Sequence, residues 1–182
     1  MTPKTLEEWK AVLYKIEPKG KSWIILGLAD NMPDLIHRFE IDSELRQAHF
    51  LAQCAHESDH FQTTQEYASG AAYEGRRDLG NTVKGDGKRY KGRGLIQLTG
   101  RFNYTAAEKA FGEKYVEFPN LVEMFPAAAL VSGWFWQKNN LNAIADRDDA
   151  RGVCKIVNGG YNGLDSRMAA LWSCKSAFAG LA

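Results

Sequence analysis

Residues 43–58 place the tightest constraint on what this chain can fold into. At roughly 100° per residue, Leu45, Ala48, Leu51, Ala52 and Ala55 fall on one broad apolar face, and Phe50 and Cys54 carry it further round. A helix that is apolar over most of its circumference must be covered on most sides, so this segment is expected at the centre of the molecule. Asp42, Ser43 and Glu44 supply capping and acidic groups at its start, where the helix dipole favours them. The polar sector that remains carries Arg46, His49, Gln53 and His56, with Glu57 at its edge. A glutamate so placed stands either at the wall of a cleft or in solvent, ion-paired at the surface.

Other segments read as partners for that helix. Residues 5–16 predict a helix, with Thr5 and Glu8 at capping-box spacing and Leu6, Trp9, Leu13 and Ile16 in one stripe. Two short helices are expected over 22–29 and 33–40, broken at Asn31-Met32-Pro33. Glycines at 70, 75, 80, 85, 87, 92 and 94 are too frequent for a long helix. Arg89-Tyr90 and Leu95-Ile96-Gln97-Leu98 suggest short strands there, hence a small β-lobe. Helices are expected again over 104–111, 126–137 and 148–157, the last closed by Asn158-Gly159-Gly160. A final helix, capped by Asn162, has the stripe Leu164, Met168, Leu171 and Phe178. The pattern is mainly α (α+β). With 182 residues and no linker-like tract, one domain is expected, residues 1–42 packing on it as N-terminal helices.

A net charge of +1 gives no basic footprint for nucleic acid. Cys54, Cys154 and Cys174 are odd in number and widely spaced, which suits neither a disulfide scaffold nor a C-x-x-C metal site and points to synthesis in a reducing cytoplasm. The start of the chain lacks a signal-peptide apolar region, and Ile24-Ile25-Leu26 is far too short to span a bilayer. No stable membrane insertion is expected, and the rings of five Trp, seven Tyr and nine Phe serve mostly as core.

Two chemistries compete for the end of the central helix. His56-Glu57-Ser58-Asp59-His60 spells H-E-x-x-H, which on a helix binds zinc with the glutamate as base. The third ligand is the difficulty, since only His37 and His49 remain and Glu74 is unmarked. The alternative is a pair of carboxylates, Glu57 and Glu66. If the helix ends near Ser58, the chain can turn back and set Glu66 across a cleft from Glu57, as acid/base cleavage of a glycosidic bond requires. Spacing permits this geometry without imposing it.

A longer run weighs on the choice. Tyr73-Glu74-Gly75-Arg76, Asp78-Leu79-Gly80-Asn81, Gly85-Asp86-Gly87 and the stretch from Tyr90 through Gly92-Arg93-Gly94-Leu95-Ile96-Gln97-Leu98-Thr99-Gly100 to Tyr104 resemble the signature of glycoside hydrolase family 19. His56-Glu57-Ser58 precedes it in the expected order, and Trp134-Phe135-Trp136 and Asn158-Gly159-Gly160 follow. The likeness covers about residues 45–172 and is nearest the phage endolysin branch of that family. It implies a lysozyme-like helical fold and cleavage of β-1,4 bonds in bacterial peptidoglycan by an inverting mechanism. It implies Glu57 as general acid, Glu66 as general base and Thr99 as a holder of the attacking water. Gln97, Asn103, Tyr90, Arg93, Asn158 and Arg167 are implied to line the substrate cleft, with Glu74 the replacement base should Glu66 fail. No metal or organic cofactor is implied. A monomer acting on the wall after release from the cytoplasm is the corresponding expectation.

Each of these residues also has an ordinary structural role open to it. Gln97 and Thr99 could be strand residues, Asn103 and Asn158 helix caps, and Arg93 a surface charge. A chitinase, a zinc peptidase of wall peptides and a non-catalytic glycan binder are the rival readings.

Overall fold

The computed structural model describes residues 2–180. Helix α1, Leu6–Ile16, opens with the capping box in full: Glu8 N–H donates to Thr5 Oγ1 at 3.2 Å and Thr5 N–H to Glu8 Oε2 at 3.1 Å. Its buried face is Trp9, Val12, Leu13 and Ile16; Leu6 lies exposed and Val12 takes its place. Helix α2, Ser22–Phe39, is continuous where a break was expected. Pro33 removes one intrahelical donor. The buried row Ile24, Ile25, Leu28, Ala29, Met32, Leu35 and Phe39 nevertheless packs without interruption across it, so tertiary burial outweighs the local penalty.

Helix α3, Glu44–Glu57, is the expected centre. The Ser43 hydroxyl accepts from Arg46 N–H, and every residue from 47 to 55 is buried. That includes His49 and Gln53 from its polar sector. Helix α9, Leu164–Ala179, lies along it, and α1 closes the far side through the edge-on Trp9–Phe178 pair. Helix α6, Ala127–Lys138, packs on α2 and sets Trp136 edge-on to Phe50 at 5.4 Å between centroids. The short helix α7, Leu141–Ala145, and helix α8, Ala150–Asn158, complete this helical half. The cap of α9 is Gly163, not Asn162, and Met168 of its expected stripe is exposed while Leu171 and Phe178 are buried.

The second half is built differently. Residues 59–100 contain short 3-10 turns at Ala71–Tyr73 and Arg77–Leu79 and a one-turn helix α4, Asp86–Arg89. The expected β-lobe is reduced to two isolated bridges, Gln65 with Arg93 and Arg93 with Leu98. The physical reason lies in the hydrogen bonding of the segment. Leu95 N–H donates to Ala128 C=O and Ile96 N–H to Ser132 Oγ, so these donors are used by α6 and not by a neighbouring strand. Helix α5, Arg101–Phe111, follows, starting three residues before its expected boundary. A smaller core of Tyr90, Leu98, Tyr104, Ala107, Tyr115, Val122 and Val131 supports this half. Among the described residues no helix is long and apolar enough to cross a membrane.

Candidate active site

Glu57 is the last residue of α3, and the chain then reverses through an unusual turn. Asp59, His60 and Phe61 have φ of 50°, 58° and 59°, three successive non-glycine residues in the left-handed region. Each costs on the order of 1–2 kcal/mol in isolation, so the turn must be held from outside. Ser58, fully buried, donates its hydroxyl to Cys54 C=O at 2.6 Å and accepts from Phe61 N–H at 3.0 Å. His60 N–H reaches Ala55 C=O at 2.7 Å, and the Phe61 side chain is fully buried. His60 and Glu17 pair at 2.7 Å, while Tyr67 Oη donates to Asp59 Oδ2 at 2.8 Å. This reversal brings the chain back to Glu66.

The backbones of the two glutamates meet a common piece of loop. Glu66 N–H donates to Gly92 C=O at 3.0 Å. A Cβ at Gly92 would lie 2.5 Å from Gln97 Oε1, so Gly92 and the Gln97 amide are in close contact. Gln97 Nε2 in turn reaches Glu57 C=O at 3.5 Å. Glu66, Gly92, Gln97 and Glu57 therefore form a contiguous path, with Gln97 between the acids.

Their surroundings differ. Glu57 Oε1 is ion-paired with the Arg167 guanidinium, which comes from α9 and is buried, 3% exposed. Arg167 also donates to Gln53 Oε1 at 2.5 Å, one helical turn before Glu57 on α3. Glu66 is half-buried. Its Oε2 accepts from Tyr73 Oη at 2.9 Å, and its Oε1 is buried with no hydrogen-bond partner among the described residues. An acceptor left open in a buried site needs an explanation, and a water or substrate proton is one such partner. Burial, and next the nearby Arg167, hold the His56 imidazole below its ordinary value of 6.5; its Nδ1 lies 3.0 Å from Ser166 Oγ.

Thr99 is half-buried just after Gln97, and its carbonyl accepts from Asn103 Nδ2 at 2.8 Å. Asn103, in the first turn of α5, thus ties that helix to the Thr99 backbone. Asn158 is exposed at the end of α8. Three expected cleft residues have different surroundings. Tyr90 is buried, 1% exposed, with Oη donating to Val116 C=O. Arg93 is buried too, pairing with Glu123 at 2.6 Å and donating to Arg89 C=O and to Tyr104 Oη. Both point into the protein and brace the loop that carries Gln97 and Thr99, because the small core beneath that loop needs their rings and donors. Glu74 is tied down by Gly85 N–H at 2.6 Å and Gly87 N–H at 2.9 Å, a turn-holding role unlike that of a base. Gln53 shares the Arg167 guanidinium with Glu57, and Tyr73 bonds Glu66 directly; neither was singled out as a site residue by sequence. The i, i+4 spacing of Gln53 and Glu57 on one helix was the available signal for the first. Nothing local marked the second.

The H-E-x-x-H match lacks the setting that gives it meaning. The helix ends at Glu57, His60 leaves through the left-handed turn to Glu17, and His56 turns to Ser166. Among the described residues no three His, Cys, Asp or Glu side chains are grouped to hold a metal.

Comparison with known proteins agrees with this layout. The family model of glycoside hydrolase family 19, described as chitinase class I, matches residues 40–157. A glycosyl hydrolase family 19 domain-containing protein of Haemophilus influenzae is 31% identical over 156 residues, 69% of this chain and 76% of that protein. An endochitinase of Arabidopsis thaliana is 39% identical over 116 residues, 62% of this chain, and the match spans only 39% of the plant protein's length. Chitinase C of Streptomyces griseus superposes with a TM-score of 0.73 over 97% of this chain and 78% of its own, at 24% identity. The class IV chitinase of Zea mays gives 0.67 over 92% and 89%, at 21% identity. These two structures establish the shared fold. The match to residues 40–157, which takes in Glu57, Glu66 and the whole loop half, shows that the chain belongs to glycoside hydrolase family 19 and is a glycosidase.

Proposed function

We propose that this glycosidase cleaves the β-1,4 bonds of peptidoglycan glycan strands with inversion at the anomeric carbon. The observation that carries the reading is the unequal treatment of the carboxylates of two glutamates whose backbones are linked by one short path through Gln97. Glu57 Oε1 is engaged by Arg167, so Oε2 is the oxygen on which a transferable proton would sit. Glu57 gives that proton to the leaving glycosidic oxygen as the C1–O bond breaks. Glu66, whose Oε1 is buried without a partner among the described residues, takes a proton from the water that attacks C1 from the opposite face. Thr99 helps to hold that water, and Gln97, Asn103, Asn158 and the Arg167 pair line or shape the cleft. No bond in this scheme is made to the protein.

Chitin is the second reading, favoured by the endochitinase names of relatives such as the Arabidopsis thaliana protein. Parallel digestion of purified Gram-negative peptidoglycan and of soluble chitin oligomers, read by mass spectrometry, decides between them. Muropeptides with new sugar reducing ends support the first reading, and the identity of the reducing sugar names the bond. Cleavage of chitin alone transfers the assignment to the second reading. Cut peptide stems with intact glycan overturn both.

A further inference from the structure

The base reading leaves open what aims Glu66. Its backbone is anchored on both sides: N–H donates to Gly92 C=O, and the carbonyl accepts from Lys91 Nζ at 3.0 Å. Its carboxylate could still rotate. Tyr73 Oη removes that freedom by donating to Oε2 at 2.9 Å. Tyr73 is itself clamped. Its N–H donates to Gly70 C=O at 3.0 Å, and its own carbonyl accepts from Asn81 Nδ2 at 2.9 Å. Asn81 is fully buried and its Oδ1 accepts from Arg101 N–H, the first residue of α5. A rigid chain of contacts thus runs from the start of α5 through Asn81 and Tyr73 to one oxygen of Glu66 and leaves the other oxygen open.

Resting on the reading of Glu66 as general base, we propose that Tyr73 is its positioning residue: the phenol fixes Oε2 so that Oε1 is the atom that takes the proton from the attacking water. A phenol suits this task because it donates one hydrogen bond from a stiff ring. Burial, and next the bond to Glu66, push the Tyr73 hydroxyl above its usual value of 10, so it stays a donor across the working range of an enzyme. The other groups facing the pair are Lys91, whose ammonium is spent on the Glu66 carbonyl, Arg76 beside the phenol and the buried Tyr104 phenol.

Tyr73→Phe keeps the ring and removes only the donor. On a soluble β-1,4-linked N-acetylhexosamine oligomer that the parent enzyme turns over, kcat should fall roughly 10- to 100-fold, the value of one hydrogen bond to a charged group. KM should stay within about twofold, since the change acts on the reacting water and not on the glycan. The acid limb of the kcat profile should move to higher pH, because the ionised carboxylate has lost a donor. In a Glu66→Gln background the same change should add no further loss. An inactive Glu66→Gln beside a Tyr73→Phe enzyme with unchanged kcat and pH profile would overturn the role of Tyr73 and leave the base assignment standing. Equal, additive losses in both backgrounds would make Tyr73 merely structural, which also overturns it. Full activity of Glu66→Gln would remove the base reading and this inference together.

Discussion

The two acids sit in halves of the molecule that are made in different ways. Glu57 ends a long buried helix and is met by an arginine from a second long helix, so regular secondary structure delivers both members of the pair. Glu66 lies in a segment without regular structure, held by a left-handed turn, 3-10 pieces and side-chain bonds to backbone groups. The comparison shows how one site can combine a fixed charged pair with an acceptor left open. In the helical half the Arg167 guanidinium is shared between Glu57 and Gln53, one turn apart on α3. In the loop half Tyr73 engages one oxygen of Glu66, and the other is buried with no partner among the described residues.

Substitutions can break each half separately. The largest effect should follow Glu57→Gln, which keeps the shape but removes the transferable proton; turnover should fall roughly 10³-fold or more with the circular dichroism spectrum unchanged. Retained turnover would remove Glu57 as the acid. Arg167→Ala should come next. It leaves Glu57 and Gln53 without their shared buried donor, and urea unfolding should report a loss of about 3 kcal/mol. The loop half is tested by Gly70→Ala. Gly70 has φ 78°, and a Cβ there would lie 2.4 Å from Gly87 C=O, which is backbone and cannot step aside. A cost of about 2 kcal/mol or more is expected. Gly75→Ala sharpens the same point: φ is 70° but nothing lies within 4 Å, so only the backbone term of about 1 kcal/mol should appear.

The smallest effect is a dependence on pH. Burial holds the His49 imidazole below its ordinary 6.5, more than its partner Asp148 pulls it up, and His56 is held below for similar reasons. The unfolded chain therefore binds protons that the folded one refuses, and stability is complete above about pH 6.5 and declines as pH falls below it. Thermal melts from pH 7.5 down to 5 should show a falling midpoint, and His49→Gln should flatten that slope. A midpoint that rises on acidification would contradict the sign.

Legibility in sequence follows the same division. The central helix, its Ser43 cap and the Thr5–Glu8 capping box were readable because periodicity and spacing are local signals. Arg167 was legible only through family likeness, since its partner on α3 lies 110 positions away. Residues 95–98 suggested a strand, but their donors go to α6, a tertiary choice that no short window contains. The left-handed turn at 59–61 uses ordinary side chains, so neither glycine nor asparagine advertised it. Tyr90 and Arg93 stand in the family-like run, yet their burial assigns them to its support.

In the mechanism proposed, Glu57 and Glu66 act on opposite faces of one glycosidic bond, with water and not the protein as nucleophile. Proton NMR during the first minutes of hydrolysis reads the configuration of the new reducing end directly. An inverting reaction on a β-linked substrate should release the α-anomer first, before mutarotation mixes the signals. Initial release of the β-anomer would mean retention, and would contradict the single-displacement mechanism assigned to this pair.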